Sequence, residues 1–361
     1  MKVRTRKATM TNKERVEALL RREKPDRVPH WPFIVPQFAA VYAGGPISDA
    51  YTKPLRETYE AQRKASRDFD WVFAPTLLSR RNARPFGGEV KIPTNKYSQA
   101  QFVTKFAAET PEEVMALEAP AVEACTTPEE LEHSKWVYQD KDENKPFVTG
   151  GGASFNTVAG IAGYDNMCKW MIKEPEVVRH MMRLAADYSI ATAQYIKDNF
   201  GVEGIVPTGA SAAGSNQLIS PKQFEEFALP YLKEIHEKVL AMGFKHMRSH
   251  TCGDHNLNLP YWQQVPMGDP GIVYVPNEMD LDTVAQYFPN EIIEGNLDAS
   301  ILQVGTPEEI YEGARKVIEQ GKSLPDSNGF IFTLACGIPP LASVEQTMAL
   351  TRALDDFGWY D

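Results

Sequence analysis

Short apolar runs alternating with amphipathic helical stretches constrain this chain more than any other feature. Eight such runs can be read, at residues 30–35, 70–74, 147–149, 204–207, 244–250, 271–276, 291–297 and 330–334, each followed by helical sequence. A strand followed by a crossover helix, repeated, lays its strands parallel. Eight repeats predict an α/β fold of one closed (β/α)8 barrel, a TIM barrel, spanning 1–361 as a single domain. The chain has 361 residues, which fits one such barrel with additions. The active site of such a barrel lies at the C-terminal ends of its strands.

Helix starts support this reading. Thr11 stands three residues before Glu14, a capping-box spacing, and Val16, Leu19 and Leu20 follow on one face. This predicts an N-terminal helical extension ahead of the first strand. Thr110-Pro111-Glu112-Glu113, Thr127-Pro128-Glu129-Glu130 and Thr306-Pro307-Glu308-Glu309 repeat the signal. Ser220-Pro221 opens a helix predicted to run to 242. Residues 53–66 read as a polar helix, and 85–91 begin an alternating stretch that predicts a small hairpin insertion.

Composition narrows the classes. A formal net charge of -10 argues against a nucleic-acid surface. No apolar run approaches the roughly 20 residues of a membrane span. Residues 1–7 are basic, but no apolar segment follows, so no secretory leader is expected. Four cysteines in a chain of this size point to a reducing compartment and a cytoplasmic location. Cys125 and Cys168 lack metal-type neighbours and read as structural.

The chemistry concentrates where the fifth and eighth strands end. His250 and Cys252 share a phase, because side-chain direction in an extended strand repeats every two residues. Cys336 follows the eighth strand. Strands of one barrel can aim these three at a common point above the mouth. Imidazole and two thiolates suit tetrahedral Zn2+, and three protein ligands leave a fourth position open, the catalytic pattern. Glu278, after the sixth strand, is the candidate exchangeable fourth ligand. His255 and Asp254 lie near, and His255 reads as a supporting residue rather than a ligand.

Several motifs resemble the uroporphyrinogen decarboxylase superfamily over nearly the full length. They are Thr11-Asn12-Lys13-Glu14-Arg15-Val16 with Lys24-Pro25-Asp26-Arg27-Val28-Pro29, then Leu218-Ile219-Ser220-Pro221 with Phe227 and Pro230-Tyr231, and Cys336-Gly337-Ile338-Pro339-Pro340. Within it the chain is similar to the zinc-dependent corrinoid methyltransferases, whose signature is H-x-C with a distant Cys, matched here by His250, Cys252 and Cys336. The resemblance implies a (β/α)8 barrel, bound zinc, and methyl transfer to or from a corrinoid (cobalamin) carried by a partner protein. A decarboxylase acting on porphyrinogens is the remote alternative. The decarboxylases carry arginines after the first strand and an Asp after the second. Here those stretches are Trp31-Pro32-Phe33-Ile34-Val35-Pro36-Gln37-Phe38 and Phe73-Ala74-Pro75-Thr76-Leu77. A substrate with many carboxylates needs matched cations, and these segments do not supply them.

Thiolate-rich zinc can activate a thiol or act as a Lewis acid on an ether oxygen. One branch of the resembled family methylates the thiol of coenzyme M; another takes methyl from a methylated small molecule. Aromatic residues expected at the mouth are Trp31, Phe33, Trp71, Phe73, Phe155, Tyr164, Trp262 and Tyr274. An aromatic pocket suits a planar apolar ligand better than a small sulfonate. The expectation is therefore O-demethylation of a methoxylated aromatic, with Trp31, Phe33 and Tyr164 as substrate-binding walls. Methylcobamide:coenzyme M methyltransferase activity is the alternative. A homodimer is compatible with the sequence.

Overall fold

The computed structural model describes residues 7–78, 85–93, 101–152, 155–325 and 327–360. Its central sheet closes on itself. Strand β3 (Val148–Thr149) pairs in parallel with β4 (Ile205–Val206). After Pro207 the same strand continues as β5 (Thr208–Ala210), and a parallel sheet follows through β6 (Arg248–His250), β7 (Ile272–Tyr274), β8 (Ile292–Leu297) and β9 (Phe330–Leu334). The numbers β1 and β2 belong to an antiparallel hairpin outside the barrel, Glu89–Lys91 with Phe102–Lys105, as the alternating stretch predicts. Residues 94–100, between its strands, lie outside the described set.

The first two expected strands are not regular. The segment at 30–35 keeps only a parallel bridge between His30 and Phe332, and 70–74 has no ladder of its own. Closure still runs through them. Val72 N–H donates to the His30 carbonyl, and a Thr76–Thr149 bridge joins the next pair. Prolines explain the shortfall: Pro29, Pro32, Pro36 and Pro75 have no N–H to give a ladder.

The row Ala210, His250, Tyr274, Glu294 and Ile331 runs in register across β5 to β9, so these side chains share one face. One layer deeper lie Arg248, Ile272 and Ile292. Val72, Val206, Ile272, Ile292 and Ile331 pack with Trp31 and Phe147 inside the barrel. Val16 and Leu19 join the same cluster, so helix Asn12–Leu20 plugs the N-terminal end. Thr11 and Glu14 cap it as the sequence predicts. That leaves the C-terminal end of the strands open.

The outer helices bury one apolar stripe each against the barrel. Capping boxes also start the helices Pro111–Met115, Pro128–Gln139, Pro307–Ser323 and Val344–Phe357, with Thr or Ser accepting from the third residue's amide. Each such cap is worth about 1 kcal/mol. The helix expected over 221–242 contains a wider turn at Phe224–Ala228 before Leu229–Ala241. Pro230, which cannot donate to the preceding turn, sits at that junction. No helix among the described residues is long and apolar enough to cross a membrane.

Candidate metal centre and barrel mouth

His250 ends β6 and Cys252 follows two residues on; Cys336 lies two residues beyond β9. Their ligand atoms all lie within 4.8 Å of one another. A tetrahedral zinc with Zn–S near 2.3 Å and Zn–N near 2.0 Å needs ligand separations of about 3.5–3.8 Å. The three donors therefore fit that ion in type and in spacing.

Local backbone chemistry makes the convergence. Gly253 adopts φ +83°, and a Cβ there would stand 2.9 Å from the Ser215 side chain. Only glycine lets the chain turn straight after Cys252. At Gly337 a Cβ would press to 2.5 Å from Val35, so the Cys336 loop can lie against the first barrel segment only as built.

The electrostatics suit soft-metal ligation. Burial, helped by the Arg248 charge, lowers the His250 pKa to about 3, so the imidazole is neutral with a lone pair to give. Its Nε2 lies 3.3 Å from the Ala335 carbonyl oxygen, and its ring stacks on Tyr274 at 3.9 Å. The Cys252 thiol hydrogen-bonds to the Cys336 sulfur, which draws Cys336 down to about 6 and pushes Cys252 up. The charge of Glu278 opposes the thiolate at both cysteines. Glu278 is exposed and stands outside the three-atom cluster. Its backbone carbonyl accepts from Asn256 Nδ2 at 3.0 Å.

His255 is fully buried and committed elsewhere. Its Nε2–H donates to the Ser211 carbonyl at 3.1 Å, while Nδ1 accepts from Trp262 Nε1 and Asn258 Nδ2. It braces the loop that carries Cys252 and is not in the ligand cluster, as the sequence suggests.

A cavity of about 750 Å³ opens beside the cluster, with His250 in its wall. Trp31, Phe33, Phe73 and Tyr59 supply aromatic lining. Trp31 is 5% exposed and Phe33 47%, so one is a fixed wall and the other a rim. Tyr164 lies outside this lining. It is half-exposed at the start of helix Tyr164–Lys173, where burial and the nearby Cys252 raise its phenol pKa. Three aromatics expected at the mouth are elsewhere. Trp71 packs with Phe38 and Phe69, and Trp262 with Phe224 and His255; Phe155 is buried in the outer core. Tyr274 stands beside His250 in the same row, its hydroxyl donating to the Leu334 carbonyl at 2.7 Å.

Sequence reasoning missed the pair below the cluster. Arg248 Nε and Nη2 each donate to a Glu294 carboxylate oxygen at 2.6 Å. The guanidinium lies 4.2 Å from the Trp31 ring centroid and 4.4 Å from that of Tyr274. Burial raises the Glu294 pKa and the Arg248 charge pulls against it. A signal existed: Arg248 shares the phase of His250, and Glu294 interrupts an apolar strand.

A family model described as uroporphyrinogen decarboxylase (URO-D) matches residues 11–357. The chain belongs to the uroporphyrinogen decarboxylase family. A methylcobamide:CoM methyltransferase from Methanosarcina acetivorans is 26% identical over 87% of this chain and 91% of its own length. A methylated-thiol–coenzyme M methyltransferase from Methanosarcina mazei is 29% identical over 55% of this chain, which spans only half of that relative. Among solved structures, a methyltransferase from Methanosarcina mazei matches with TM-score 0.73 at 20% identity, over 96% of this chain and 99% of its own. The last likeness establishes the barrel fold.

Proposed function

We propose that this chain is a zinc enzyme of one-carbon metabolism that moves a methyl group from a methoxylated aromatic to the corrinoid of a partner protein. The observation that carries this reading is the His250, Cys252 and Cys336 cluster, with His250 in the wall of an aromatic-lined cavity. In the reaction the aryl O–CH3 bond breaks, the methyl carbon takes an electron pair from reduced cobalt, and the oxygen keeps the C–O pair and gains a proton from water. Zinc held by His250, Cys252 and Cys336, with Glu278 as an exchangeable fourth ligand, would supply Lewis acidity at the departing oxygen.

The protein's own residues do the rest. Trp31, Phe33 and Phe73 hold the ring and exclude water, so the methyl group is presented in one orientation. Tyr164, outside that lining and near Cys252, would touch only a substrate that extends beyond the cavity towards the metal. Neutral His250 keeps its lone pair across the physiological range. Phe33, on the loop after the first barrel segment, is half-exposed at the cavity, where it would meet the docked corrinoid protein.

The names of the relatives favour a second reading, methylation of the coenzyme M thiol. That thiol carries a sulfonate, and a permanent anion needs an unpaired cation. Arg248 is the cavity's only Lys or Arg among the described residues, and Glu294 already neutralises it. The deciding assay follows the visible absorbance of a Co(I) corrinoid protein mixed with the enzyme and one of three donor or acceptor sets: methoxyphenols, methoxybenzoates, or methylated corrinoid with coenzyme M. Demethylation of a methoxyaromatic is expected. Turnover with coenzyme M alone would replace this reading with the second.

A further inference from the structure

Arg248 occupies a position that the methyl-transfer chemistry does not require. It sits in the layer below His250, yet its guanidinium reaches up to Glu294, which lies in the same in-register row as His250. Trp31 and Tyr274 clamp it from two sides, so the group is fixed in place. Two of its three nitrogens are committed to Glu294. Nη1 has no protein partner among the described residues, yet it is not one of the polar atoms sealed in the core without one. Arg248 lines the cavity beside His250. A rigid donor is therefore offered to whatever fills that space.

The charge balance decides what it can receive. The carboxylate of Glu294 is buried completely and cancels the arginine's charge. A ligand carboxylate entering here would lose its hydration and, among the described residues, meet no net positive charge. A neutral oxygen loses far less and still gains a charge-assisted hydrogen bond. Resting on the reading of this cavity as the methyl donor's seat, we infer that Arg248 is a specificity-determining residue. It selects a methoxyaromatic carrying a second, uncharged oxygen, such as a methoxyphenol, and rejects the corresponding methoxybenzoate.

The test is calorimetric titration of the full zinc-loaded chain without corrinoid protein, using methoxybenzene and the three positional isomers each of methoxyphenol and methoxybenzoate. At least one methoxyphenol should bind about tenfold or more tighter than both methoxybenzene and its matching methoxybenzoate. Glu294→Gln leaves the arginine's charge uncompensated and should improve methoxybenzoate binding by about tenfold or more relative to methoxyphenol. If that variant does not fold, the ligand series on the unaltered chain decides alone. Methoxybenzoates that bind as well as methoxyphenols, or a ratio unmoved by Glu294→Gln, would overturn the inference. The methyl-transfer assay separates the two readings. The binding pattern without any transfer would sink the demethylase reading and leave the role of Arg248 standing. Transfer without the pattern would do the reverse.

Discussion

The two halves of the barrel are built to different standards. From β5 to β9 the ladder is continuous and parallel, and it carries Arg248, His250, Tyr274 and Glu294, with Cys252 and Cys336 just past its ends. In the other half, residues 30–35 and 70–76 are held by single bridges and interrupted by proline, and β3 has only a two-residue ladder with β4. The regular half brings the three metal-type ligands together. The irregular half supplies Trp31, Phe33 and Phe73, the walls against which a ring would rest. Ligand geometry tolerates little error, whereas a wall can be remodelled by exchanging side chains on loops. The contrast suggests that chemistry resides in one half and choice of substrate in the other.

The buried histidines show the same split. His255, in the regular half, has partners for both ring nitrogens; His30, in the irregular half, is buried between Trp71 and Phe332 with neither nitrogen bonded. A satisfied polar group stabilises its surroundings, and an orphan one costs.

The largest expected effect breaks the regular half. Cys252→Ala or Cys336→Ala should lose zinc and reduce methyl transfer by roughly a thousandfold or more, while circular dichroism and Tm stay near those of the parent. Elemental analysis beside the melting curve checks both.

Acid comes next. Burial lowers His30 to about 3 and His236 and His255 to about 4. An unfolded histidine titrates near 6.5, so below that pH the unfolded chain binds more protons than the folded one. Stability is therefore complete above about pH 6.5 and falls as pH drops towards 4. The loss is about 1.4 kcal/mol per pH unit for each such histidine, or about 4 kcal/mol per pH unit for three. Urea melts at several pH values give the slope. His30→Phe should flatten it by about 1.4 kcal/mol per pH unit at little cost at pH 7. His255→Phe should cost about 2 kcal/mol and release zinc more easily, because Trp262 and Ser211 lose their partner.

Glu278→Gln is a smaller change. It should retain zinc and shift KM by about tenfold, since the altered group is an exchangeable one at the rim. Phe33→Ala, in the irregular half, should leave Tm within about 1 °C because the side chain is half-exposed, yet raise KM several-fold. An unchanged KM would remove Phe33 from the substrate wall and weaken the division between the halves.

The sequence made the regular half readable for a physical reason. His250 and Cys252 share a strand phase, glycine follows each clustered cysteine, and capping boxes mark Thr11, Thr127 and Thr306 as helix starts. Residues 30–35 and 70–74 were legible as apolar runs but not as bridges. An apolar run reports burial, and only its prolines report the missing amides. Trp71 was misplaced because the inward or outward phase of a strand without a ladder cannot be read from spacing; it packs with Phe69 and Phe38. The Arg248–Glu294 pair joins residues 46 positions apart, so local pattern does not connect them.

One measurement bears most directly on the central claim that this barrel holds a catalytic metal on His250, Cys252 and Cys336. It is the zinc K-edge X-ray absorption spectrum of the purified chain, with and without a bound methoxyphenol. One zinc per chain is expected, with two sulfurs at about 2.3 Å and two lighter atoms at about 2.0–2.1 Å, one of which changes when the ligand is added. A chain free of zinc, or a four-ligand sphere that the ligand leaves untouched, would contradict it.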